Sequence, residues 1–404
     1  MTEEKMKIES LKIQEIFDSR GEPTIEVELT VPGNHSFLAK IPSGKSRGAH
    51  EAAVLSYTDA QKVLHDILRT RVVGLDFETV KELDTFLIKL DGTERKEKLG
   101  GNVMLGVSIA FARALAYEKG KELWEVLHDE FFPRTDISKR PLIFANLVNG
   151  GVHADNNLDI QEYMTVAEPK GGYRETVQKL ISFYERLGFV IEEERDVKRL
   201  PLGDEEGYEV NFKDNFAPVA IMEKLIRESE LQGEFRIALD VAASEFYKDG
   251  KYTFEGHSYS TDELVAAYGE YFKKSDLLCS LEDPCNEGDF EGFKKIMEIA
   301  GDRWIVADDL TTTDPRCIEK YAEEGLMTGV IIKANQIGTL TETCEAIHAA
   351  KRRGVRVIVS HRSGETDDPF LIHIAKASGA DGVKIGAPAK ERIVKYDELI
   401  RLYE

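Results

Sequence analysis

The chain has 404 residues, with 74 acidic against 53 basic side chains and a net charge of −21 at pH 7. That length suits a large domain plus a smaller one, and so acidic a surface with no basic stripe argues against a nucleic-acid partner. The charged first ten residues lack the apolar core of a signal peptide, and no apolar run could span a bilayer, so a cytoplasmic protein with no membrane insertion is expected.

In chain order, Ile25, Val27 and Leu29 alternate with Glu26, Glu28 and Thr30, the pattern of a strand with one buried face. Pro32-Gly33-Asn34 turns the chain, and Phe37, Ala39 and Ile41 form a second strand that runs into the glycine-rich loop 42–48. Helical segments follow. One, Val103 to Tyr117, is apolar round most of its circumference and is expected to be capped by Asn102. Phe132-Pro133-Arg134 breaks the pattern, which divides the chain into an α+β lid or capping domain over 1–134 and a catalytic domain over 135–404.

Beyond the boundary, Leu142–Leu147 and Ile160–Val166 read as strands. Too few residues separate them for a crossover helix, so an antiparallel pair is expected. The charged stretch Glu192 to Tyr208 reads as a long surface loop. Six short apolar runs then each stop on a polar residue: Arg236–Asp240, Leu278–Glu282, Ile305–Asp308, Gly329–Lys333, Arg356–His361 and Gly382–Lys384. Such runs are buried parallel strands, and helix-like stretches lie between most of them. Eight strands in all imply an α/β fold, an irregular eight-stranded, TIM-like β/α barrel preceded by a smaller α+β domain. The cysteines Cys279, Cys285, Cys317 and Cys344 form no C-x-x-C pair and read as reduced, ordinary side chains.

In a barrel of this kind the strand ends converge on one mouth. Asp240, Glu282 and Asp308 would repel one another there, so their convergence calls for a cation, and all-oxygen ligation favours Mg²⁺ or Mn²⁺. Asp283 and Asp309 leave the choice of ligand within each acidic pair open. Lys333 and Lys384 fit an anionic substrate, and burial is expected to lower a strand-end lysine toward the range of a working base. Glu162 is placed at the end of the second strand, Glu205 in a loop over the mouth and His153 in the loop between the first two strands. Arg362 and Ser363, after His361, form a phosphate cradle.

These residues also stand in longer motifs. Asp18-Ser19-Arg20-Gly21-x-Pro23-Thr24, Leu90-Asp91-Gly92-Thr93, the Asn149–His153 loop, Gln161-Glu162, Leu239-Asp240 and Glu282-Asp283-Pro284 come first. Asp308-Asp309-Leu310-Thr311, Lys333-x-Asn335-Gln336-Ile337-Gly338-Thr339, Ser360-His361-Arg362-Ser363-Gly364-Glu365-Thr366 and Lys384-x-Gly386-Ala387-Pro388 follow. Through them the chain resembles enolase over nearly its whole length. The resemblance implies a ββαα(βα)6 barrel, reversible dehydration of 2-phosphoglycerate to phosphoenolpyruvate in glycolysis and gluconeogenesis, two Mg²⁺ per site and a homo-oligomer, either a dimer or a larger ring. It also implies roles. Asp240, Glu282 and Asp308 would bind the first Mg²⁺ and Ser46 would help hold the second. Lys333 would be the base at C2 and Lys384 would meet the substrate carboxylate. Glu205, supported by Glu162, would protonate the departing hydroxyl. Arg362 and Ser363 would take the phosphate, and His153 and His361 would complete the pocket.

Two lid segments depart from the family pattern. Ser43-Gly44-Lys45-Ser46-Arg47-Gly48 stands in place of Ser-Gly-Ala-Ser-Thr-Gly, and Gly203-Asp204-Glu205-Glu206-Gly207-Tyr208-Glu209-Val210-Asn211 in place of Gly-Asp-Glu-Gly-Gly-Phe-Ala-Pro-Asn. The expectation is that Lys45 or Arg47 pairs with Glu206 or Glu209. The chain also ends at Glu404, earlier than family members usually do. The alternatives are an enolase-like paralogue acting on a different 2-substituted carboxylic acid, and a catalytically silent binding protein.

Overall fold

The computed structural model describes residues 5–45, 51–195 and 199–404. Eight strands close into a barrel: Leu142–Asn149, Glu162–Ala167, Phe235–Asp240, Leu278–Glu282, Trp304–Ala307, Gly329–Ile332, Arg356–Ser360 and Gly382–Ile385. The second strand runs antiparallel to the first and third, and the remaining pairs are parallel. Two helices, Tyr173–Arg195 and Ala217–Glu228, separate the second and third strands, and from the third strand onward each strand is followed by a helix. The architecture is ββαα(βα)6. It explains one misreading: Glu162 begins its strand rather than ending it. In an antiparallel strand the N-terminal end lies at the mouth, and Glu162 sits in register with Asn149 and Asp240.

Two further expectations change. The segment after Glu192 is not all loop, because the helix Tyr173–Arg195 carries its buried stripe of Leu180, Phe183, Leu187 and Ile191 into a charged last turn. Nor does Glu205 to Tyr208 lie on the surface, since Glu205, Glu206 and Tyr208 are all buried. The apolar helix spans Gly101–Lys119 and its N-cap is Gly100 at φ 84°, not Asn102. The Asn102 amide instead clasps the backbone of Leu55, accepting from its N–H at 3.1 Å and donating to its C=O at 3.0 Å. A cap accepts from its own helix, and this amide is committed elsewhere.

The N-terminal hairpin is real, Pro23–Val31 with His35–Lys40, and a third strand, Ser10–Phe17, pairs along its other edge. Buried Leu11 and Ile13 alternate there with exposed Lys12 and Gln14, a signal masked by the charged residues around it. The helix Gly101–Lys119 packs so closely on this sheet that a Cβ at Gly106 would lie 2.3 Å from Val27. All four cysteines are free thiols. Among the described residues, no helix is long and apolar enough to cross a membrane.

The sheet and its helices dock on the barrel through polar contacts. Asp18 accepts from Arg20 Nη2 at 2.8 Å and from Ser43 Oγ at 2.7 Å. Ser43 exchanges backbone hydrogen bonds with Gly364, at 2.8 and 2.9 Å. On the helix Val80–Asp91, Asp84 accepts from Thr341 N at 2.9 Å and Thr341 Oγ1 at 2.7 Å, at the start of the helix Leu340–Arg352. Burial lifts Asp84 to about 7, against hydrogen bonds from Thr341 and Ser108 that favour its charge. An acid whose folded pKa exceeds its unfolded one keeps its proton on folding. Its contribution is complete below the unfolded value and is lost as pH rises through the folded value. Stability to urea should therefore fall from about pH 4 to about pH 7 with a slope of about one proton more in wild type than in Asp84→Asn. Parallel pH profiles for the two proteins would contradict this.

Candidate active site

The last strand places Lys384 at the mouth, in register with Ser360 and Phe144. Its side chain is 2% exposed. The ammonium donates to Asp240 Oδ2 at 2.9 Å and Glu282 Oε1 at 2.8 Å, and lies 3.2 Å from Glu162 Oε2. Three strands thus aim carboxylates at one cation. Lys333 pairs with Asp308 in the same way. Burial alone would pull both lysines down. The facing carboxylates outweigh it, chiefly Asp308 for Lys333 and Asp240, Glu162 and Glu282 for Lys384, so both ammonium groups are held above the usual lysine value. The expected lowering is thereby overturned, since burial beside several carboxylates stabilises the charged form.

Burial also pushes Glu282 well up, with Asp240 adding to it. For Asp308 burial acts upward too, but Lys333 and Lys384 outweigh it and hold the carboxyl below its ordinary value. Asp283 and Asp309, the second carboxylates of the two acidic pairs, also face the mouth. Asp283, at φ 39°, accepts from Asp308 N at 3.1 Å and Asp309 N at 2.7 Å, so it staples two strand ends. Asp309 is raised by burial, and then by Asp308, to about 7.

A second group surrounds Glu205. Asn146 Nδ2 donates to Glu205 Oε2 at 3.1 Å, His361 Nε2 lies 3.4 Å from the same oxygen, and His153 Nδ1 lies 3.8 Å from Oε1. Burial lowers both histidines, His361 to about 4. His361 Nδ1 accepts from Gly386 N at 3.3 Å, so the neutral ring presents its Nε2–H to Glu205. Ligand atoms of His153, Glu162 and Glu205 lie within 4.8 Å of one another. Burial raises Glu162 well above the ordinary carboxyl value and the neighbouring Glu205 charge raises it further, whereas at Glu205 burial is outweighed by His361, His153 and Lys384, which hold that carboxyl well below it.

On a third side, Arg362 Nη1 donates to Glu51 Oε2 at 3.2 Å and Asn335 Oδ1 at 3.0 Å. Ser363 Oγ accepts from Lys45 N at 3.0 Å and lies 3.4 Å from Arg20 Nη1. Gln336 Nε2 donates to both Glu51 Oε1 and Asp308 Oδ1, at 3.3 and 3.2 Å. Glu51 therefore ties the arginine to the acidic corner. It and Asn146 were not singled out from sequence. Glu51 follows the glycine-rich loop with no periodic context, and its partners lie nearly 300 residues away or more.

His153, Glu162, Glu205, Asp240, Asp308, Lys333, His361, Arg362, Ser363 and Lys384 all line one cavity. Glu282 does not line it and meets Lys384 directly. Ser46 and Arg47 lie outside the described residues. Of the expected lid pairing, the part that falls on Lys45 and Glu206 is corrected, since Lys45 Nζ pairs with Asp204 at 2.9 Å and Glu206 with Lys390 at 2.8 Å; a pairing through Arg47 lies outside the described residues. Asp204 is the acid that the loop turns toward residue 45, whereas Glu206 points to the far side.

Two described groups bring their ligand atoms within 4.8 Å of one another, the His153 group above and Asp283–Asp308–Asp309. Asp240, Glu282 and Asp308 are instead spaced by the two ammonium groups. Their oxygens already face positive charge, from Lys384 across the barrel and from Lys333 on the neighbouring strand end, and such an all-oxygen donor set fits a hard divalent cation. Truncating Lys384 leaves buried carboxylates uncompensated. In the presence of chelator, Lys384→Ala should lose about 3–5 kcal/mol of stability to denaturant, and a midpoint equal to wild type would refute the hub.

Two family models match the chain, "Enolase, N-terminal domain" over residues 8–127 and "Enolase, C-terminal TIM barrel domain" over residues 138–404. Enolase of Methanopyrus kandleri is 40% identical, covering 98% of this chain and 96% of its own length. Enolase of Thermococcus gammatolerans is 38% identical over 100% and 96%, and that of Lactobacillus delbrueckii subsp. bulgaricus 39% over 99% and 96%. With both halves matched and relatives similar from end to end, this chain belongs to the enolase family of lyases.

Proposed function

We propose that the protein acts as a phosphopyruvate hydratase, dehydrating 2-phosphoglycerate reversibly to phosphoenolpyruvate. The observation that carries this reading is the meeting, in one cavity, of a strand-end lysine, the glutamates Glu162 and Glu205 and an arginine–serine corner. Eliminating a hydroxyl β to a carboxylate needs a base at C2, an acid at C3 and charge to stabilise the enolate between them. Lys333 is the base, and its neutral amine accepts the C2 proton at Nζ; this form requires that Asp308, which holds the ammonium charged here, be engaged by other positive charge. Glu205, taking the proton that Glu162 beside it holds, passes it to the departing hydroxyl, and His361 orients Glu205 through its Nε2–H. Lys384 meets the substrate carboxylate, while Arg362 and Ser363 take the phosphate. His153 closes the pocket on the Glu205 side.

A divalent cation, Mg²⁺ with Mn²⁺ as a substitute, would be held by Asp240, Glu282 and Asp308, with Ser46 toward a second one, and when bound it supplies positive charge for the enolate and its carboxylate. The division near residue 134 into a capping domain and a barrel belongs to this reading, as do a cytoplasmic location and a homo-oligomeric state. A second reading, a paralogue acting on another 2-substituted acid, rests on the Lys45–Asp204 pair in the altered lid.

The test is ultraviolet absorbance of phosphoenolpyruvate from purified protein and 2-phosphoglycerate. Product should form with Mg²⁺, disappear with chelator, and drop by at least about a thousandfold in a folded Lys333→Ala variant, which loses both the base and its positioning. No product from wild type would move the reading to the paralogue.

A further inference from the structure

Glu206 stands where the family pattern has glycine, and it adopts φ 66°, a left-handed conformation that carries strain for a residue with a side chain. A buried charge adds to that cost. The chain nevertheless keeps a glutamate there, and opposes it with one cation. Lys390 Nζ lies 2.9 Å from Glu206 Oε1 and 2.8 Å from Oε2. Lys390 is left-handed as well, at φ 46°, in the turn that follows the last barrel strand.

The same two segments are joined on either side of this pair. Ala387 N donates to Glu205 O at 3.1 Å and Arg392 Nη2 donates to Asp204 O at 3.1 Å. Tyr184 Oη holds the carbonyl of Glu206 at 2.5 Å. Two strained residues on separate loops thus spend their side chains on each other, beside the glutamate that faces the cavity.

We propose that Glu206 and Lys390 are positioning residues, an ion pair that fixes the loop 203–207 on the last barrel turn and thereby sets the Glu205 carboxyl against the departing hydroxyl. The inference rests on the reading of Glu205 as proton donor. Without Lys390, the Glu206 carboxylate is left buried and unpaired, and the loop must open to wet it, carrying Glu205 away. Lys333 sits on another strand end and stays in place. The two half-reactions therefore separate: removal of the C2 proton persists while loss of hydroxyl fails. The side chain of Lys390 is 62% exposed and that of Glu206 5%, so truncating the lysine removes a charge and leaves no cavity.

The experiment uses the full chain with Mg²⁺ and 2-phosphoglycerate. It measures both phosphoenolpyruvate formation and exchange of the C2 proton with deuterated water by nuclear magnetic resonance. In Lys390→Ala, kcat for dehydration should fall about ten- to a hundredfold while C2 exchange and KM stay within about twofold of wild type. Lys390→Arg should retain the rate. Glu206→Gly combined with Lys390→Ala should regain it, because the buried charge and the strain leave together. Equal losses in exchange and dehydration, no loss in either, or a double variant as slow as Lys390→Ala would overturn the assignment. Wild type active in both assays with an unaffected Lys390→Ala sinks the positioning role alone. Wild type inactive in both removes the reading of Glu205 and the inference with it.

Discussion

Buried carboxylates from adjacent strands cannot share a barrel mouth without positive charge, and the architecture of this site follows from that constraint. Lys384, at the end of the last strand, supplies a central charge to Asp240, Glu282 and Glu162. Lys333 does the same for Asp308. Lys384 needs the barrel to be closed, since it and its partners lie more than a hundred residues apart in the chain, whereas Lys333 reaches Asp308 from the neighbouring strand. The antiparallel second strand matters for the same reason. A parallel strand would carry Glu162 to the opposite end of the barrel, whereas the observed register sets it level with Asp240.

The segments outside the barrel work on these groups from above. The glycine-rich loop is pinned to the Arg362–Gly364 turn by the Ser43–Gly364 backbone pair, which brings Lys45 N onto Ser363. Glu51 then links Arg362 to Gln336, and Gln336 links onward to Asp308. Arg362 is thus joined to Asp308 through two side chains. The acid-bearing loop has its own anchors on the first strand, where Gly207 N donates to Asn149 Oδ1 at 3.0 Å, and on the turn after the last. The groups to which the proposed function ascribes catalysis are therefore carried by strand ends or by loops tied to them, which is the rigidity that accurate proton transfer requires.

Much of this was legible in the chain itself. Barrel strands buried on both faces read as short apolar runs, and the charged residue that stops each run marks the mouth. The pattern places Asp240, Glu282, Asp308, Lys333 and Lys384 at the mouth, and the longer motifs carry the roles proposed for them. What escaped depends on contacts between distant segments. Glu51 and Asn146 carry no local pattern, because their meaning comes from Arg362 and Glu205. The loop around Glu205 looked solvated since its composition is acidic, yet Lys45, Lys390 and Arg392 supply the cations that let it be buried. The lysine pKa direction was misread for a similar reason: burial could be anticipated from position, but the number of facing carboxylates could not.

The central claim is that Asp240, Glu282 and Asp308 act together as one hard-cation site whose charge the two lysines balance. Titration of Mn²⁺ against the purified protein, followed by electron paramagnetic resonance, addresses it directly. Wild type should bind the ion, and Asp240→Asn, Glu282→Gln and Asp308→Asn should each weaken binding by more than about tenfold, while Asp262→Asn on the surface should not. Binding to the three variants as tight as to wild type would show that the cation, if held at all, is held elsewhere.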